Sequence, residues 1–349
     1  MTVRSPLFTD LRIVPLVACL LFLLTGCSQS DWEEPYREYL SRLSRTLEQP
    51  HTKPQPRPRA RMPRPSEIQL EFESGNLDGI DFLSLHGCEL QLTIGKRNSS
   101  LGRMARDSQR LLLELEYLTL APECIDYQRR EGSADIADTL EQARQLKERQ
   151  LPALIFNATL GGEEYREFWR TGTPDPAYPA TAGSEVITAL EAINAMTERW
   201  LAGDYRADNL AFELALSEVA TGDGGLLLQA LAEQDSALAT ADRLVENRMQ
   251  RGPLCREGYR PAAAEILENV IARFFIGELQ SDSAALGSRF HALLPPVRSL
   301  EASLDSILPR SYADWRVERD TRLQRFSAAP KRHVEQLKSL RAPCEVARE

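Results

Sequence analysis

Apolar side chains recur at spacings of three and four along most of this chain, and that pattern confines it to packed helices. The strongest stripe is Ile266, Leu267, Val270, Ile271, Phe274 and Leu279, which is expected at the centre of the core. Val186, Leu190, Ile193, Thr197 and Trp200 line a second helix, and Leu227, Leu231, Leu238, Leu244 and Val245 a longer one. Leu210, Leu214 and Leu216 mark a shorter helix that stops at Thr221-Gly-Asp-Gly-Gly225. Tyr312, Trp315, Leu323 and Phe326, then Val334, Leu337 and Leu340, give the C-terminal helices.

Nearer the N-terminus, Leu77, Ile80, Leu83 and Leu85 lead to Cys88, and Leu90, Leu92 and Ile94 continue to Asn98. Asn98 or Ser99 suits a cap for a helix carrying Leu101, Met104, Leu111, Leu112, Leu115 and Leu118, which Pro122 is expected to end. Helices near 135–150 and 153–170 follow, and Pro295-Pro296 is expected to interrupt the segment Phe290–Leu308. Only Ile68, Leu70 and Phe72 alternate, so a short strand or extended edge is expected near 68–72. The predicted class is all-α, an irregular multi-helix bundle. The Pro/Gly-rich loop at 172–183 is the candidate break between two helical subdomains.

The first residues read differently. Arg4 and Arg12 precede a short apolar run, Ile13 to Leu24, which closes on Leu24-Thr-Gly-Cys27. The run is about 12 residues, short of the roughly 18 needed to span a bilayer. A basic start, a short apolar middle and small residues before a cysteine form a cleaved lipoprotein signal. The expectation is a signal peptide at 1–26 and a diacylglycerol-modified Cys27 that holds the mature chain on membrane lipid, since each buried methylene contributes about 0.8 kcal/mol. Ser28, in place of an aspartate, points by analogy to the outer membrane, facing the periplasm. The plainer alternative is a core helix with an incidental cysteine.

Residues 27–65 form a connecting region ahead of a helical domain at 66–349. Within it, 31–48 is amphipathic, with Trp32, Tyr36, Tyr39, Leu40, Leu43 and Leu47 on one face, which suits docking on the core better than contact with headgroups. Residues 50–65 hold six prolines with Lys53, Arg57, Arg59, Arg61 and Arg64. Proline fixes φ and removes donors, so this piece is an extended strap. Solvation is its plain reading; packing on an acidic body or contact with anionic lipid are the others.

The charge balance is 42 basic against 51 acidic side chains, net −9, which argues against general nucleic-acid binding. Four dispersed histidines, at 51, 86, 291 and 333, form no metal box, so no metal or cofactor is expected. Cys19 leaves with the signal and Cys27 takes lipid. Cys88, Cys124, Cys255 and Cys344 remain, an even number in an oxidising compartment. Of three pairings, Cys88–Cys124 with Cys255–Cys344 needs only local closures. Chain entropy credits those two with roughly 4 and 4.5 kcal/mol. Four buried free thiols are the alternative.

Several pieces together resemble an uncharacterised family of gammaproteobacterial lipoproteins, a domain of unknown function. They are the lipobox at 24–27, Cys88 followed by Arg97-Asn-Ser-Ser-Leu-Gly102, Cys124-Ile125, Pro253-Leu-Cys255 with the Asn269-Val270 helix, and Cys344. The resemblance spans nearly the whole mature chain. It implies an envelope compartment and an all-helical domain, and it implies no activity.

No catalytic box stands out. Gly222-Asp-Gly-Gly225 lacks the spacing of a phosphate loop and reads as a turn. Arg97-Asn98-Ser99-Ser100 reads as a cap. Glu163, Glu164 and Glu167 near Trp169 have the letters of a glycan cleft, which a charged helix face explains equally. The expected protein is a membrane-anchored, non-enzymatic binding or scaffold module whose partner is an envelope protein, lipid or peptidoglycan, and not nucleic acid. The alternatives are an envelope hydrolase with a site assembled from distant helices, and a carrier of apolar ligands.

Overall fold

The computed structural model describes residues 32–50, 52–72, 85 and 87–346. The lipobox, Cys27, and the stripe positions Leu77, Ile80 and Leu83 lie outside the described residues. Among the described residues the chain is helical between turns, with no strand beyond one isolated bridge, Arg256–Tyr259. The predicted all-α bundle is what the chain forms. In order, the helices are α1 (Glu34–Thr46), α2 (Pro65–Ile68), α3 (Leu90–Asn98), α4 (Ser100–Arg103) and α5 (Asp107–Arg130). Then come α6 (Ala134–Ala158), α7 (Glu163–Phe168), α8 (Glu185–Leu201), α9 (Asn209–Ala220) and α10 (Gly224–Gln250). The remainder is α11 (Ala262–Val270), a π-helical stretch Ile271–Leu279, α12 (Gln280–Ser303), α13 (Arg310–Ser327) and α14 (Ala329–Val346).

Helix α10 is the hub, because its sequence is small or apolar nearly all round. Leu227, Leu228, Ala230, Leu231, Ala237, Leu238, Ala241, Leu244 and Val245 are all buried. From Gly224 to Asp242 no residue of it is exposed, and α1, α12, α13 and α14 pack around it. Its start explains Gly222-Asp-Gly-Gly225. A Cβ on Gly225 would lie 2.1 Å from the Arg170 carbonyl oxygen, and one on Gly224 would lie 2.6 Å from the Phe168 ring. Those glycines let the first turn of α10 press against α7 and the residues after it.

The stripe on α8 is buried at every expected position, from Val186 to Trp200. The stripe at 266–279 needs correction. The π-helical turns are wider than α-helical ones, and the inward positions fall at Ile271, Phe275 and Leu279. Phe275 is therefore in the core, and Ile266 is exposed. Phe274 is only half-buried, with the Arg42 and Arg273 guanidinium groups each 5.4 Å from its ring. On α9 the buried face is Phe212, Leu216 and Val219, while Leu210 and Leu214 are exposed.

The prolines expected to end helices do not. Pro122 lies inside α5 and Pro295 and Pro296 inside α12, and α6 runs through Pro152 to Ala158, across the boundary expected between 150 and 153. Apolar residues on both sides of each are buried: Leu118 and Ile125, Leu151 and Ile155, Leu293 and Val297. Tertiary packing on both sides holds the axis together where one lost backbone bond would otherwise release it. Ser99 does cap a helix, accepting from Gly102 N–H at 3.0 Å, but the helix is the four-residue α4. The long helix starts afresh at Asp107, so Leu101 and Met104 stay exposed.

No strand forms near 68–72. Ile68 closes α2, and Leu70 then pairs with a side chain. Its N–H donates to Asn157 Oδ1 at 3.0 Å, and Asn157 Nδ2 donates to its carbonyl at 2.9 Å. One buried amide thus stands in for a neighbouring strand.

The buried apolar residues form two clusters. The larger takes in α1, the strap's Ala60, the C-terminal half of α6, and most helices from α7 to α14, together with Tyr178 from the loop at 172–183. The smaller gathers Leu85, Leu90 and Ile94 against the tip of the α5–α6 hairpin, Tyr117, Ala121, Ile125, Ala137 and Leu140.

Candidate functional site

The four cysteines pair as the local closures suggested. Cys88–Cys124 ties the segment before α3 to α5, with Cα atoms 5.4 Å apart. Cys255–Cys344 ties the turn after α10 to α14, at 4.8 Å. Both are buried, and each sits in a different apolar cluster.

The glutamates near Trp169 do not converge with it. Glu163 is exposed, and Glu167 pairs with Arg170 at 3.1 Å. Trp169 turns inward against Trp315, their ring centroids 5.5 Å apart. Asp223 of the glycine turn is occupied as well: Arg289 approaches it at 2.5 and 2.9 Å, and Tyr178 donates to it at 2.8 Å. The Arg97 guanidinium reaches Glu114 at 2.8 Å, and Lys147 Nζ contacts the other oxygen of the same carboxylate. Among the described residues, no group of three or more His, Cys, Asp or Glu is placed to hold a metal ion.

Two polar clusters were not visible in the sequence reading. In the first, Arg319 is fully buried and donates to both oxygens of Glu301 at 2.7 and 2.8 Å. Its guanidinium lies 4.8 Å from the rings of Trp169 and Trp315. Tyr312 donates to Glu301 at 2.8 Å, and burial pushes its hydroxyl pKa well up, so it remains a donor. Burial opposes the Arg319 charge, but the Glu301 bonds outweigh it and hold its pKa above the usual range.

In the second cluster, Asp242 of α10 lies 2.6 Å from His333 Nδ1, and Tyr39 Oη of α1 lies 2.7 Å from His333 Nε2. With Asp242 accepting from Nδ1–H, Nε2 accepts from the Tyr39 hydroxyl. Burial raises the Tyr39 pKa, with Asp242 adding to it, so that proton stays on tyrosine. The order acid, imidazole, hydroxyl is that of a nucleophile relay. Here Tyr39 is 1% exposed, and the Phe275 and His333 ring centroids are 4.9 Å apart. A sealed hydroxyl meets no substrate, so the chain fastens α1, α10 and α14 together. The signal that could have found both clusters is phase. Arg319 falls in register with Tyr312, Trp315, Leu323 and Phe326, and His333 with Leu337 and Leu340.

One site of ligand size lies where α1, the strap and α10 meet. It is a cavity of about 460 Å³, within the range of small-molecule sites. Trp32, Tyr36, Leu40 and Ala232 give it apolar walls, and Lys53 and Arg59 stand at the strap. The strap is not simply solvated. Arg57 pairs with the buried Asp235 at 2.6 Å, Ser236 Oγ donates to the Gln55 carbonyl at 2.5 Å, and Arg166 donates to the Pro63 carbonyl at 2.7 Å. Of the strap's basic residues Arg57 has packed on the acidic body, while Lys53, Arg59, Arg61 and Arg64 stay exposed.

These features define an all-helical, two-disulfide domain whose N-terminal segment straps its central helix. The chain belongs to a family of proteins of unknown function, DUF3080, whose model matches residues 36–347. No curated protein and no solved structure matches it.

Proposed function

We propose that this is a lipid-anchored protein of the bacterial envelope whose helical body is a non-enzymatic binding module. The anchor is Cys27, the compartment is the periplasmic face of the outer membrane, and the partner is an envelope component. One observation carries the reading. Five residues after Cys27 the chain enters the body at Trp32, and from there α1 lies on α10 and lines the cavity. Five residues extend to at most about 18 Å, so an acylated Cys27 would hold the cavity near the membrane surface. Two disulfides suit an oxidising compartment.

The hydrolase alternative has the Asp242–His333–Tyr39 chain in its favour, and its burial against it. The test has two arms. Radiolabelled palmitate should enter the parent and not Cys27→Ala; equal label would refute the anchor. Cross-linking in intact cells should then join the parent, and not Cys27→Ala, to an outer-membrane or peptidoglycan component. Partners confined to the cytoplasm would refute the compartment.

A further inference from the structure

The cavity between α1 and the strap brings apolar side chains, an unpaired indole N–H and exposed cations together. Its walls are mainly apolar, and although Glu33 and Glu233 also line it, the strap's Lys53, Arg57 and Arg59 with Arg37 of α1 outnumber them. Trp32 is 6% exposed, and its indole N–H has no acceptor among the described residues. A buried donor left unpaired carries a penalty of about 1–3 kcal/mol that a ligand acceptor would relieve. Lys53 is exposed and makes no side-chain hydrogen bond or ion pair among the described residues. Arg59, also exposed, is held by a hydrogen bond to Gln229, which keeps its charge at the rim. Arg57, by contrast, is committed to Asp235. The strap therefore commits Arg57 to an ion pair and leaves the charges of Lys53 and Arg59 without one at the opening.

We infer that this cavity binds an anionic amphiphile drawn from the membrane. Its apolar portion lies against Trp32, Tyr36 and Leu40, and its anionic head meets Lys53 and Arg59. Charge complementarity selects the head: on a protein that is acidic overall, net −9, Lys53 and Arg59 hold positive charge at the opening with no ion pair to either among the described residues. The apolar walls select a tail over a bare anion such as phosphate. A soluble anion could accept from the Trp32 indole but would gain nothing from Leu40 and the Tyr36 ring, while an acyl chain contributes about 0.8 kcal/mol for each buried methylene. The source rests on the anchoring proposed above, since an acylated Cys27 would set the opening beside the leaflet.

Tryptophan fluorescence tests this on the full-length, membrane-extracted protein in a nonionic detergent. The probe is dibromostearate, whose bromines quench an indole they touch. Trp169, Trp200 and Trp315 lie in the main core and do not line the cavity, so Trp32 is the reporter. Quenching should saturate, be competed by unbrominated stearate, and vanish in Trp32→Phe. Lys53→Glu changes an exposed side chain with no bonds to lose. With Arg59→Glu it should raise the half-quenching concentration by about tenfold or more. Brominated phosphatidylglycerol should quench, and brominated phosphatidylcholine should quench far less.

Equal quenching by phosphatidylcholine would overturn the proposal, because it would report mere contact with the micelle. So would quenching that survives Trp32→Phe, or that ignores the charge reversals. Competition by inorganic phosphate as strong as that by stearate would assign the site to a soluble anion and overturn the amphiphile. Any of these failures would leave palmitate labelling and cross-linking untouched, so loss of the ligand is distinguishable from loss of the anchor.

Discussion

Glu301 in the main body and Glu114 on the α5–α6 hairpin are both buried carboxylates, and the two regions answer them differently. Glu301 is sealed. Its Arg319 is inaccessible, clamped between two tryptophans, and Tyr312 completes the shell. Glu114 is bridged: Lys147 meets it from α6, and Arg97 reaches it from α3, with over a quarter of the arginine side chain still exposed. Lys147 also lies 4.7 Å from the Tyr117 ring, and burial lowers its pKa while Glu114 pulls it back up. A large apolar cluster can enclose an ion pair completely. A small one uses its ion pair to tie a short helix to a hairpin, and adds a disulfide. The lesson is that the body is held by packing and the hairpin tip by discrete links.

The largest effect should come from breaking the sealed pair. Arg319→Ala leaves Glu301 buried without its partner and should cost about 3–5 kcal/mol. Glu301→Leu with Arg319→Met removes both charges and should recover most of that loss. At the tip, Lys147→Met leaves Arg97 on Glu114 and should cost less, about 1–3 kcal/mol. Urea titrations would rank them. A Lys147→Met loss as large as that of Arg319→Ala would end the distinction between sealed and bridged.

Packing in the body can be tested at one pair of neighbours. Phe275→Ala should cost about 3–5 kcal/mol, since it opens a cavity beside Tyr39 and His333. Phe274→Ala, under two exposed guanidinium groups, should cost about 1 kcal/mol. Thermal melts showing the reverse order would mean that the π-helical register is wrong.

The disulfides should separate the regions by location more than by size. Replacing Cys88 and Cys124 by alanine removes a link that chain entropy values at roughly 4 kcal/mol. Few apolar side chains hold the tip otherwise, so its helices should open locally. Hydrogen exchange should quicken in 90–98 and 117–125 while the α10 amides stay protected. Uniform loss of protection throughout would show that the tip and the body unfold as one unit.

Much of this fold was legible in the sequence, and the misses share causes. Helical phase gave the class, the faces of α8 and α10, and the aromatic side of α1. Spacing gave both disulfide pairs. Local rules failed where tertiary packing overrides them: Pro122, Pro152, Pro295 and Pro296 stay helical because the residues around them are buried on both sides. The Phe274 error has the same origin, since a change from α to π turns leaves no mark in residue type. The polar clusters were missed because Glu114, Asp235, Glu301, Arg319 and His333 were read as surface or passed over. Each sits in phase with an apolar stripe, and a charge in phase is a signal for a buried pair. The cavity could not be read from sequence at all, because α10, nearly two hundred residues further along the chain, completes what α1 and the strap begin.

The smallest expected effect tests whether surface ions also hold the tip. Glu141 receives two bonds from Arg144 at 2.7 and 3.0 Å and one from Gln145, and these bonds hold its carboxyl down to about 2. A carboxyl depressed in the fold binds its proton less readily there than in the unfolded chain. Its stabilisation is therefore complete above the ordinary value near 4.5 and is lost as pH falls through about 2. Both side chains are about a quarter exposed, so solvent screening should keep the gain below about 1 kcal/mol. Glu141→Gln should thus be slightly less stable than the parent at pH 7, with the gap narrowing below pH 4 and closing near pH 2. Urea titrations at those three pH values would show it. A gap that stayed constant with pH would assign the loss to packing. A gap larger than that of the Cys88/Cys124 double variant would move the tip's stability from its disulfide to its surface charges.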